Sequence, residues 1–230
     1  RPGAADWDGD GDQEPGTYSP GGTWRLRATS ASSAATATTF TFGVGSGDKA
    51  VAGDWDGDGD DDTGIFRPGG TWFLRSNDTG AITTTFTYGT AAGDVPVVGD
   101  WDGDGIDDAG LFRTGGMWYL RSSVTGTTLR TFTFGVGGTD KPVVGDWDGD
   151  GDDEPGILRN GTWYLRRTSS TSSTQLPAFT FGVDPADLPV VGDWTGDSSD
   201  APGIYRRGTW YLRAGTGVSD PTLTTFTFGH

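Results

Sequence analysis

The sequence predicts an all-β protein built as a five-bladed β-propeller, and three observations support this fold class. A motif similar to Gly-Asp-Trp-Asp-Gly-Asp-Gly occurs five times along the 230 residues. The spacings between its copies are 48, 46, 46 and 47 residues, and the first Asp of each copy is Asp6, Asp54, Asp100, Asp146 or Asp193. A period in the forties with strand-like content is typical of propellers with one blade per repeat. Strand-forming Thr, Val and aromatic residues are plentiful, and 30 of the 32 acidic residues are Asp, which helices disfavour.

Each repeat of about 46 residues contains four candidate antiparallel strands. In the second repeat, an apolar run leads into Asp54, and a short strand at 64–67 follows the acidic loop. A glycine-rich turn, an alternating strand at 71–75 and a final Thr-Phe-Thr-Tyr strand complete the repeat. We predict a single domain, 1–230, that consists of five repeats with the approximate bounds 1–47, 48–93, 94–139, 140–186 and 187–230. The sequence leaves open whether blades and repeats are in phase or whether an end strand is exchanged.

The ten tryptophans all fall at two repeated positions. One set directly follows the first Asp of each loop, and the other lies in the third strand: Trp7, Trp55, Trp101, Trp147 and Trp194, then Trp24, Trp72, Trp118, Trp163 and Trp210. Blades are packed on both faces by their neighbours, so we predict that these side chains form the inter-blade core. The alternative is a set of platforms on which sugars stack.

The composition excludes several classes of function. There is no Cys, and His230, the last residue, is the single His. Disulfides, thiolate nucleophiles, imidazole metal clusters and His-dependent triads are therefore excluded, and whether His230 belongs to a cloning tag is left open. The net charge of −16 argues against nucleic acid and anionic membranes as partners. No apolar run is long enough for membrane insertion.

The acidic loop has the spacing of a calcium site. With Asp54 as position 1, Asp56 and Asp58 stand at positions 3 and 5, and Gly59 permits a sharp turn at position 6. The carbonyl of position 7 then faces inward, and Asp62 at position 9 closes the ligand shell. Hard oxygen ligands without nitrogen or sulfur favour Ca²⁺.

Four repeats share this pattern, and we expect about four bound Ca²⁺ ions. The predicted metal ligands are Asp6, Asp8, Asp10, Asp12 (carbonyl) and Glu14; Asp54, Asp56, Asp58, Asp60 (carbonyl) and Asp62; Asp100, Asp102, Asp104, Ile106 (carbonyl) and Asp108; and Asp146, Asp148, Asp150, Asp152 (carbonyl) and Glu154. In the fifth loop, position 3 is Thr195, position 6 is Ser198 and position 9 is Ala201, so the site at Asp193 and Asp197 should be empty or weak. The five loops hold 25 of the 32 acidic residues, and such crowding of like charge favours bound cations.

The Asp loops, together with a Phe-Gly pair upstream of each, resemble the FG-GAP (FG-GAP/VCBS-like) repeat family. The matching pairs include Phe42-Gly43, Phe134-Gly135 and Phe181-Gly182, although no Gly-Ala-Pro follows the loops. These repeats build the calcium-binding propeller of integrin α subunits and of many bacterial secreted proteins. The resemblance implies a calcium-binding propeller, and a secreted, extracellular location agrees with the modest calcium affinity of such loops.

Three further rows of charged residues repeat outside the loops. The first is a carboxylate six residues before each loop, which we interpret as a turn cap rather than a metal or ligand contact: Asp48, Asp94, Asp140 and Asp187. The others are two rows of Arg: Arg67, Arg113, Arg159 and Arg206, then Arg27, Arg75, Arg121, Arg166 and Arg213. We expect these rows to pair with the acidic loops or with neighbouring blades.

These observations favour a non-catalytic, calcium-stabilised binding module over an enzyme. Outside the acidic loops, no unrepeated pair of carboxylates stands out, and no Ser/His or Cys/His arrangement exists. The preferred partner is a carbohydrate or cell-wall polymer, because near-equal blades offer multivalent display, as in a lectin. The alternative is a structural or adhesion propeller that binds extracellular protein. The domain is expected to be monomeric, and the sequence does not identify the ligand-binding residues.

Overall fold

The computed structural model of the chain describes residues 1–19, 21–27, 38–45, 47–77, 79–123, 125–172 and 174–228. These residues form five four-stranded antiparallel sheets, and no helix occurs among them. The fold is therefore the predicted five-bladed β-propeller. His230 lies outside the described residues.

Each blade contains four consecutive strands. The first blade comprises β1 (Pro2–Ala5), β2 (Glu14–Ser19), β3 (Thr23–Leu26) and β4 (Thr38–Thr41). The second comprises β5 (Lys49–Gly53), β6 (Asp62–Arg67), β7 (Thr71–Arg75) and β8 (Ile82–Thr87). The third comprises β9 (Val95–Gly99), β10 (Asp108–Arg113), β11 (Met117–Arg121) and β12 (Thr128–Thr133). The fourth comprises β13 (Lys141–Gly145), β14 (Glu154–Arg159), β15 (Thr162–Leu165) and β16 (Phe179–Thr180), and the fifth comprises β17 (Leu188–Gly192), β18 (Ala201–Arg206), β19 (Thr209–Arg213) and β20 (Thr222–Thr227).

Blades and repeats are in phase, which answers the question that the sequence leaves open. Each sheet takes its strands from one repeat, so the first and last blades do not share a strand. The first strand of each blade contacts the first strands of both neighbouring blades, and β1 contacts β17. These five strands surround the axis of the ring, where a cavity of about 430 Å³ opens among the acidic loops.

The antiparallel order places the connections on two opposite faces. The Asp-loop face carries the loops between the first and second strands (6–13, 54–61, 100–107, 146–153 and 193–200) and the connections between the third and fourth strands. The hairpin face carries the turns between the second and third strands and the linkers between blades. The repeated acidic residues therefore gather at one end of the ring.

The tryptophans of the third strands lie in the core, as the repeat pattern predicts. Trp72, Trp118, Trp163 and Trp210 are fully buried, and Trp24 is 4% exposed. The second strand of each following blade inserts an apolar side chain beside this core: Ile65, Leu111, Ile157 and Ile204. At the joint between the fifth and first blades the equivalent residue is Thr17, which is 8% exposed and whose Oγ1 has no hydrogen-bond partner. The closing joint therefore differs from the other four.

A second inter-blade contact repeats at all five joints. The Arg at the end of each third strand lies over a Phe in the fourth strand of the preceding blade, with Cζ to ring-centroid distances of 4.1 Å for Arg75 over Phe40 and 4.2 Å for Arg121 over Phe86. At the closing joint Arg27 lies 5.0 Å from the centroid of Phe226. A cation over an aromatic face contributes about 0.5–2 kcal/mol, depending on its desolvation. This row of Arg therefore holds blades together.

The other Arg row lies on the hairpin face. Arg67 donates to both carboxylate oxygens of Asp48 at 2.8 and 2.9 Å, and Asp48 also accepts from the backbone N–H of Gly45 at 2.8 Å. The same ion pair recurs at Arg113, Arg159 and Arg206. The turn-cap role of the Asp48 row is thus confirmed, but the expectation that this Arg row pairs with the acidic loops or neighbouring blades is wrong. The linker carboxylate of the same blade lies closer and offers a bidentate geometry.

Candidate functional site: acidic loops and inter-blade grooves

The first Asp of each acidic loop organises the loop through its own carboxylate. Asp6 accepts from the backbone N–H of Gly9 and of Gly11, both at 2.8 Å. Gly9 and Gly11 have φ angles of 71° and 93°, a region that side chains with a Cβ disfavour. Asp54, Asp100 and Asp146 accept the same two bonds in their loops. The glycines thus allow the chain to wrap around one fixed carboxylate.

Carboxylates converge in each of the four loops that match the calcium pattern. Within each group, oxygen atoms of three residues lie within 4.8 Å of one another: Asp6, Asp8 and Asp10; Asp54, Asp56 and Asp58; Asp100, Asp102 and Asp104; and Asp146, Asp148 and Glu154. Burial, and next the charges of Asp58 and Asp54, raise the pKa of Asp56. A cation bound within one such group would relieve this repulsion.

The carboxylates at position 9 are buried beneath the loops. Glu14 is fully buried, and Asp62, Asp108 and Glu154 are between 1% and 3% exposed. Burial raises the pKa of Glu14 and Glu154 to about 8, that of Asp62 to about 7 and that of Asp108 to about 6. Glu14 Oε1 and Asp108 Oδ2 have no hydrogen-bond partner. A buried carboxylate oxygen without a partner is costly, and a calcium ion in the loop would supply the missing ligand contact.

The position 9 residues are held in two different ways. Glu14 and Glu154 accept from the backbone N–H of the loop tryptophans, Trp7 and Trp147, at 3.2 and 3.3 Å. The shorter Asp62 instead accepts from the backbone N–H of Asn77 at 2.6 Å, and Asp108 accepts from that of Ser123. Glu and Asp therefore anchor the loop to different neighbours. The sequence pattern, which treats both as one ligand position, does not reveal this difference.

The residues predicted to offer a carbonyl at position 7 are tied to position 5. The backbone N–H of Asp12, Asp60, Ile106 and Asp152 donates to Asp10, Asp58, Asp104 and Asp150, respectively, over 3.0–3.2 Å. Ile106 makes the same contact as the three Asp residues, because the donor is the backbone N–H and the side chain is not involved. Three of the predicted side-chain ligands converge in each of the four loops, whereas Glu14, Asp62, Asp108 and Asp150 are outside these groups of three.

The fifth loop keeps the same path without the full set of carboxylates. Asp193 accepts from the backbone N–H of Gly196 and of Ser198, both at 2.7 Å, and from the Thr195 hydroxyl at 3.3 Å. Asp197 accepts from the Ser199 hydroxyl at 2.7 Å. Ala201 provides no ligand at position 9. Hydroxyl groups thus order this loop where the other loops have charged groups.

Position 8 of each loop has a role that the sequence pattern does not reveal. Asp61, Asp107, Asp153, Asp200 and Gln13 line the axial cavity. Burial raises the pKa of Asp61 and Asp153 to about 7, and also raises the pKa of Asp107 and Asp200 well above the ordinary value. Each side chain accepts from the backbone N–H of the first Asp in the preceding loop, as with Asp54 N–H to Asp107 Oδ2 at 3.0 Å. In the sequence, the repetition of Asp at position 8 in four of the five loops was the one sign that this position has a common role.

Two grooves open between blades on the Asp-loop face. The groove between the first and second blades, about 290 Å³, is lined by Trp7, Phe40, Arg75 and Asn77, with Thr38 at its edge. The equivalent groove between the second and third blades is about 200 Å³. It is lined by corresponding residues: Trp55, Phe86, Arg121, Ser123 and Thr84. Both grooves combine aromatic rings with polar groups, a composition that suits hydroxylated ligands.

The third groove in this series is filled by the chain itself. Arg130 occupies the position equivalent to Thr38 and Thr84. Its Nη1 donates to the Trp101 carbonyl and to the hydroxyl of Ser169, which is 2% exposed. Arg130 and the buried Ser169 together therefore occupy the place that is open in the first two grooves.

Comparisons with known proteins identify the fold and no more. No family model matches the chain, and no curated protein matches it. Among solved structures, the chain is similar to an Agrocybe aegerita lectin described as recognising non-reducing terminal N-acetylglucosamine. That match has 14% identity and a TM-score of 0.53 over 94% of this chain and 63% of the lectin.

Two other solved structures match over nearly the whole chain. The BBS1N protein in complex with ARL6DN has 9% identity and a TM-score of 0.50, over 98% of this chain and 68% of that chain. The Photorhabdus luminescens Tc holotoxin pore has 17% identity and a TM-score of 0.52, over 100% of this chain but 12% of that chain. At these identities the likeness shows a propeller fold.

The described residues contain no helix that is long and apolar enough to cross a membrane.

Proposed function

We propose that this chain is a non-catalytic, calcium-stabilised binding module of the FG-GAP type, acting in an extracellular protein and binding carbohydrate. The calcium part of the proposal is carried by the buried position 9 oxygens that have no partner, Glu14 Oε1 and Asp108 Oδ2. Each lies in a loop whose other carboxylates are already gathered around one point. Burying these two oxygens without a partner is costly, and a cation bound at the neighbouring carboxylates would offset that cost.

Four loops would hold Ca²⁺ through the carboxylates at positions 1, 3, 5 and 9 and the carbonyl at position 7. The ion would supply charge neutralisation and cross-link the end of each first strand to the start of the second. The fifth loop would need no ion, because Thr195 and Ser199 already donate to its carboxylates. Extracellular calcium is abundant enough to load sites of this class, whereas cytosolic calcium is not.

Carbohydrate binding is supported by the two open grooves. The half-buried indole rings of Trp7 and Trp55, next to Arg, Asn and Ser side chains, offer an apolar surface for a sugar ring and polar groups for its hydroxyls. The similar lectin fold is described as recognising N-acetylglucosamine, which makes amino sugars a sensible first class to test. Two neighbouring grooves of one type would also allow a polymer to be bound at more than one point.

The test is a polysaccharide and glycan array probed with the calcium-loaded protein and with an EDTA-treated sample. The variants Thr38→Arg and Thr84→Arg, made together, would place a long cationic side chain in both grooves, at the position that Arg130 occupies in the third. We expect binding in calcium and its loss in the double variant. Thr90→Arg, an exposed position on the hairpin face, adds a similar charge elsewhere and should bind normally. Binding that persists in the double variant would contradict the assignment to the grooves.

A protein-binding role is the second candidate, and a separate observation favours it. Val44, Val136 and Val183 occupy one repeated position on the hairpin face and are 70–72% exposed. The similar BBS1N propeller is described in a complex with a protein, ARL6DN. If no glycan binds in either condition, a pull-down with wild type and with Val136→Ser/Val183→Ser would test this face.

The proposal that the module is non-catalytic follows from how its carboxylates are used. The acids outside the loops include the Asp48 row, whose members are each paired with an Arg on the hairpin face. The hydrogen bond from Arg67 lowers the pKa of Asp48, and that from Arg159 lowers the pKa of Asp140, which makes both poor general acids. Measurable turnover of a polysaccharide by the purified chain would refute this part of the proposal.

A further inference from the structure

We infer that the calcium loops are coupled to one another around the ring, so that calcium binds to them cooperatively. The coupling element is the pair formed by position 1 of one loop and position 8 of the next. This inference rests on the proposed calcium binding and adds to it how occupancy of one loop affects its neighbours.

The observation is a pair of reciprocal hydrogen bonds that recurs at every joint. Between the second and third blades, Asp54 N–H donates to Asp107 Oδ2 at 3.0 Å, and Asp107 N–H donates to the Asp54 carbonyl at 2.7 Å. Between the first and second blades, the corresponding distances for Asp6 and Asp61 are 2.7 and 2.5 Å. Asp100 with Asp153 and Asp146 with Asp200 repeat the arrangement.

The pair ties a ligand of one loop to a ligand of the next. Asp54 is position 1 of the second loop, and its carboxylate is the one around which that loop wraps. Asp107 directly precedes Asp108, the buried position 9 ligand of the third loop. An ion that fixes the main chain at Asp54 therefore fixes the main chain at Asp107, and with it the position of Asp108. The same connection runs in the opposite direction.

The order of the loops determines how far the coupling extends. The first four loops, which carry the full ligand set, are consecutive, so three joints connect one metal loop directly with another. The fifth loop is ordered by its own hydroxyls and joins the first through Gln13, which exchanges the same two hydrogen bonds with Asp193. Gln13 also shows that an amide can replace the carboxylate at position 8. The contact needs an acceptor oxygen and does not need a charge.

This tolerance of an amide supplies a matched pair of variants for the test. Asp107→Ala removes the acceptor for the N–H of Asp54 but leaves every proposed metal ligand in place. Asp107→Asn keeps an acceptor and removes the charge, as Gln13 does naturally. We would measure ⁴⁵Ca²⁺ binding by equilibrium dialysis for wild type and both variants, with the melting temperature in saturating calcium as a check on folding.

For wild type we expect about four ions with a Hill coefficient above 1. Asp107→Ala should still bind four ions, with a lower Hill coefficient and with the half-saturating calcium concentration raised about fivefold or more, the lower end of usual coupling strengths. Asp107→Asn should resemble wild type. A second variant, Asp56→Ala, removes a ligand from the second loop, and should weaken binding in the adjoining first and third loops as well.

Stoichiometry and cooperativity distinguish a loss of coupling from a loss of calcium binding. Four ions bound with a Hill coefficient of 1 in wild type would overturn the coupling and leave the calcium proposal intact. The coupling is also overturned if Asp56→Ala loses one ion while the other three keep their affinity, or if Asp107→Asn and Asp107→Ala behave alike. Absence of calcium binding would overturn the proposed calcium function, and the coupling with it.

Discussion

The joint between the fifth and first blades should become stronger when Thr17 is replaced by Val. Thr17 occupies the place that Ile65, Leu111, Ile157 and Ile204 fill at the other joints. It is 8% exposed, and its Oγ1 has no hydrogen-bond partner. Val has nearly the shape of Thr, so Thr17→Val exchanges a hydroxyl for a methyl group and requires no additional room.

The magnitude follows from the state of that hydroxyl. A buried polar group without a partner costs about 1–3 kcal/mol, and replacing it with an apolar group of equal shape recovers that cost. A gain of about 2 kcal/mol in the free energy of unfolding corresponds, for a domain of this size, to a rise of about 4–8 °C in Tm. The reverse change at an ordinary joint, Ile65→Thr, loses apolar contact and buries a hydroxyl, and should cost about 2–4 kcal/mol.

The assay is thermal unfolding followed by circular dichroism in saturating calcium, with both variants measured beside wild type. Ile65→Thr serves as the control for whether the position matters, since Ile65 is fully buried. A Tm of Thr17→Val equal to or below that of wild type would refute the reasoning. It would mean that the Thr17 hydroxyl has a hydrogen-bond partner in solution.

The remaining predictions concern the acidic loops and one hairpin. Calcium at 100 times its Kd stabilises by about 2.7 kcal/mol per loop, so EDTA should lower the Tm of a four-ion protein by roughly 20–40 °C, and an unchanged melt would argue against loaded loops. Without calcium, the pKa of Glu154 is raised from 4.5 to about 8, so its contribution to stability is greatest below pH 4.5 and is lost as the pH rises to about 8. Glu154→Gln should therefore raise Tm in EDTA at pH 8 and lower it in calcium, and the same sign in both would contradict this. Arg207 has a φ of 50° at an exposed hairpin tip where Asn160 (also φ 50°) serves in the preceding blade. Arg207→Asn should raise Tm by about 2–4 °C, equivalent to about 1 kcal/mol. Asn160→Arg should lower Tm by a similar amount. Denaturant titration of both variants checks this, and a shift of the opposite sign in either would contradict the reasoning.

The repeat made the fold predictable from the sequence. Five copies of one pattern with strand alternation lead directly to five blades, and the burial of Trp72 and its equivalents follows from the packing of blades against each other. The convergence of the acidic side chains in each loop was predictable for the same reason, because loop spacing is a local property. Asp54, Asp56 and Asp58 converge through contacts within nine residues of chain.

What the sequence could not reveal depends on contacts between repeats. The role of Asp107 requires knowing that its partner, Asp54, lies 53 residues away in another blade. Arg75 and Arg67 look alike as repeated basic residues, yet one lies over a Phe of the neighbouring blade and the other pairs with a linker carboxylate of its own blade. The repeat pattern shows that each Arg belongs to a repeated set, but it does not show which residues the side chains of that set contact.

The grooves were equally hidden, because they depend on small differences between otherwise equal blades. Thr38 and Thr84 leave space that Arg130 fills in the following joint. The effect of this difference becomes apparent only in the structure, where Thr38, Thr84 and Arg130 occupy equivalent positions at three successive joints. Identity of the repeats predicts the scaffold, whereas departures from identity indicate where a ligand could enter.

The absence of a shared strand between the first and last blades has a consequence for the order of the units along the chain. Gln13 with Asp193 and Arg27 with Phe226 make at the closing joint the contacts that covalently linked neighbours make elsewhere. Non-covalent contacts alone therefore close the ring at this joint. A circular permutant that begins at residue 48, with the former ends joined by a short linker, should recover the same ring, and separate fragments of two and three blades should assemble with each other.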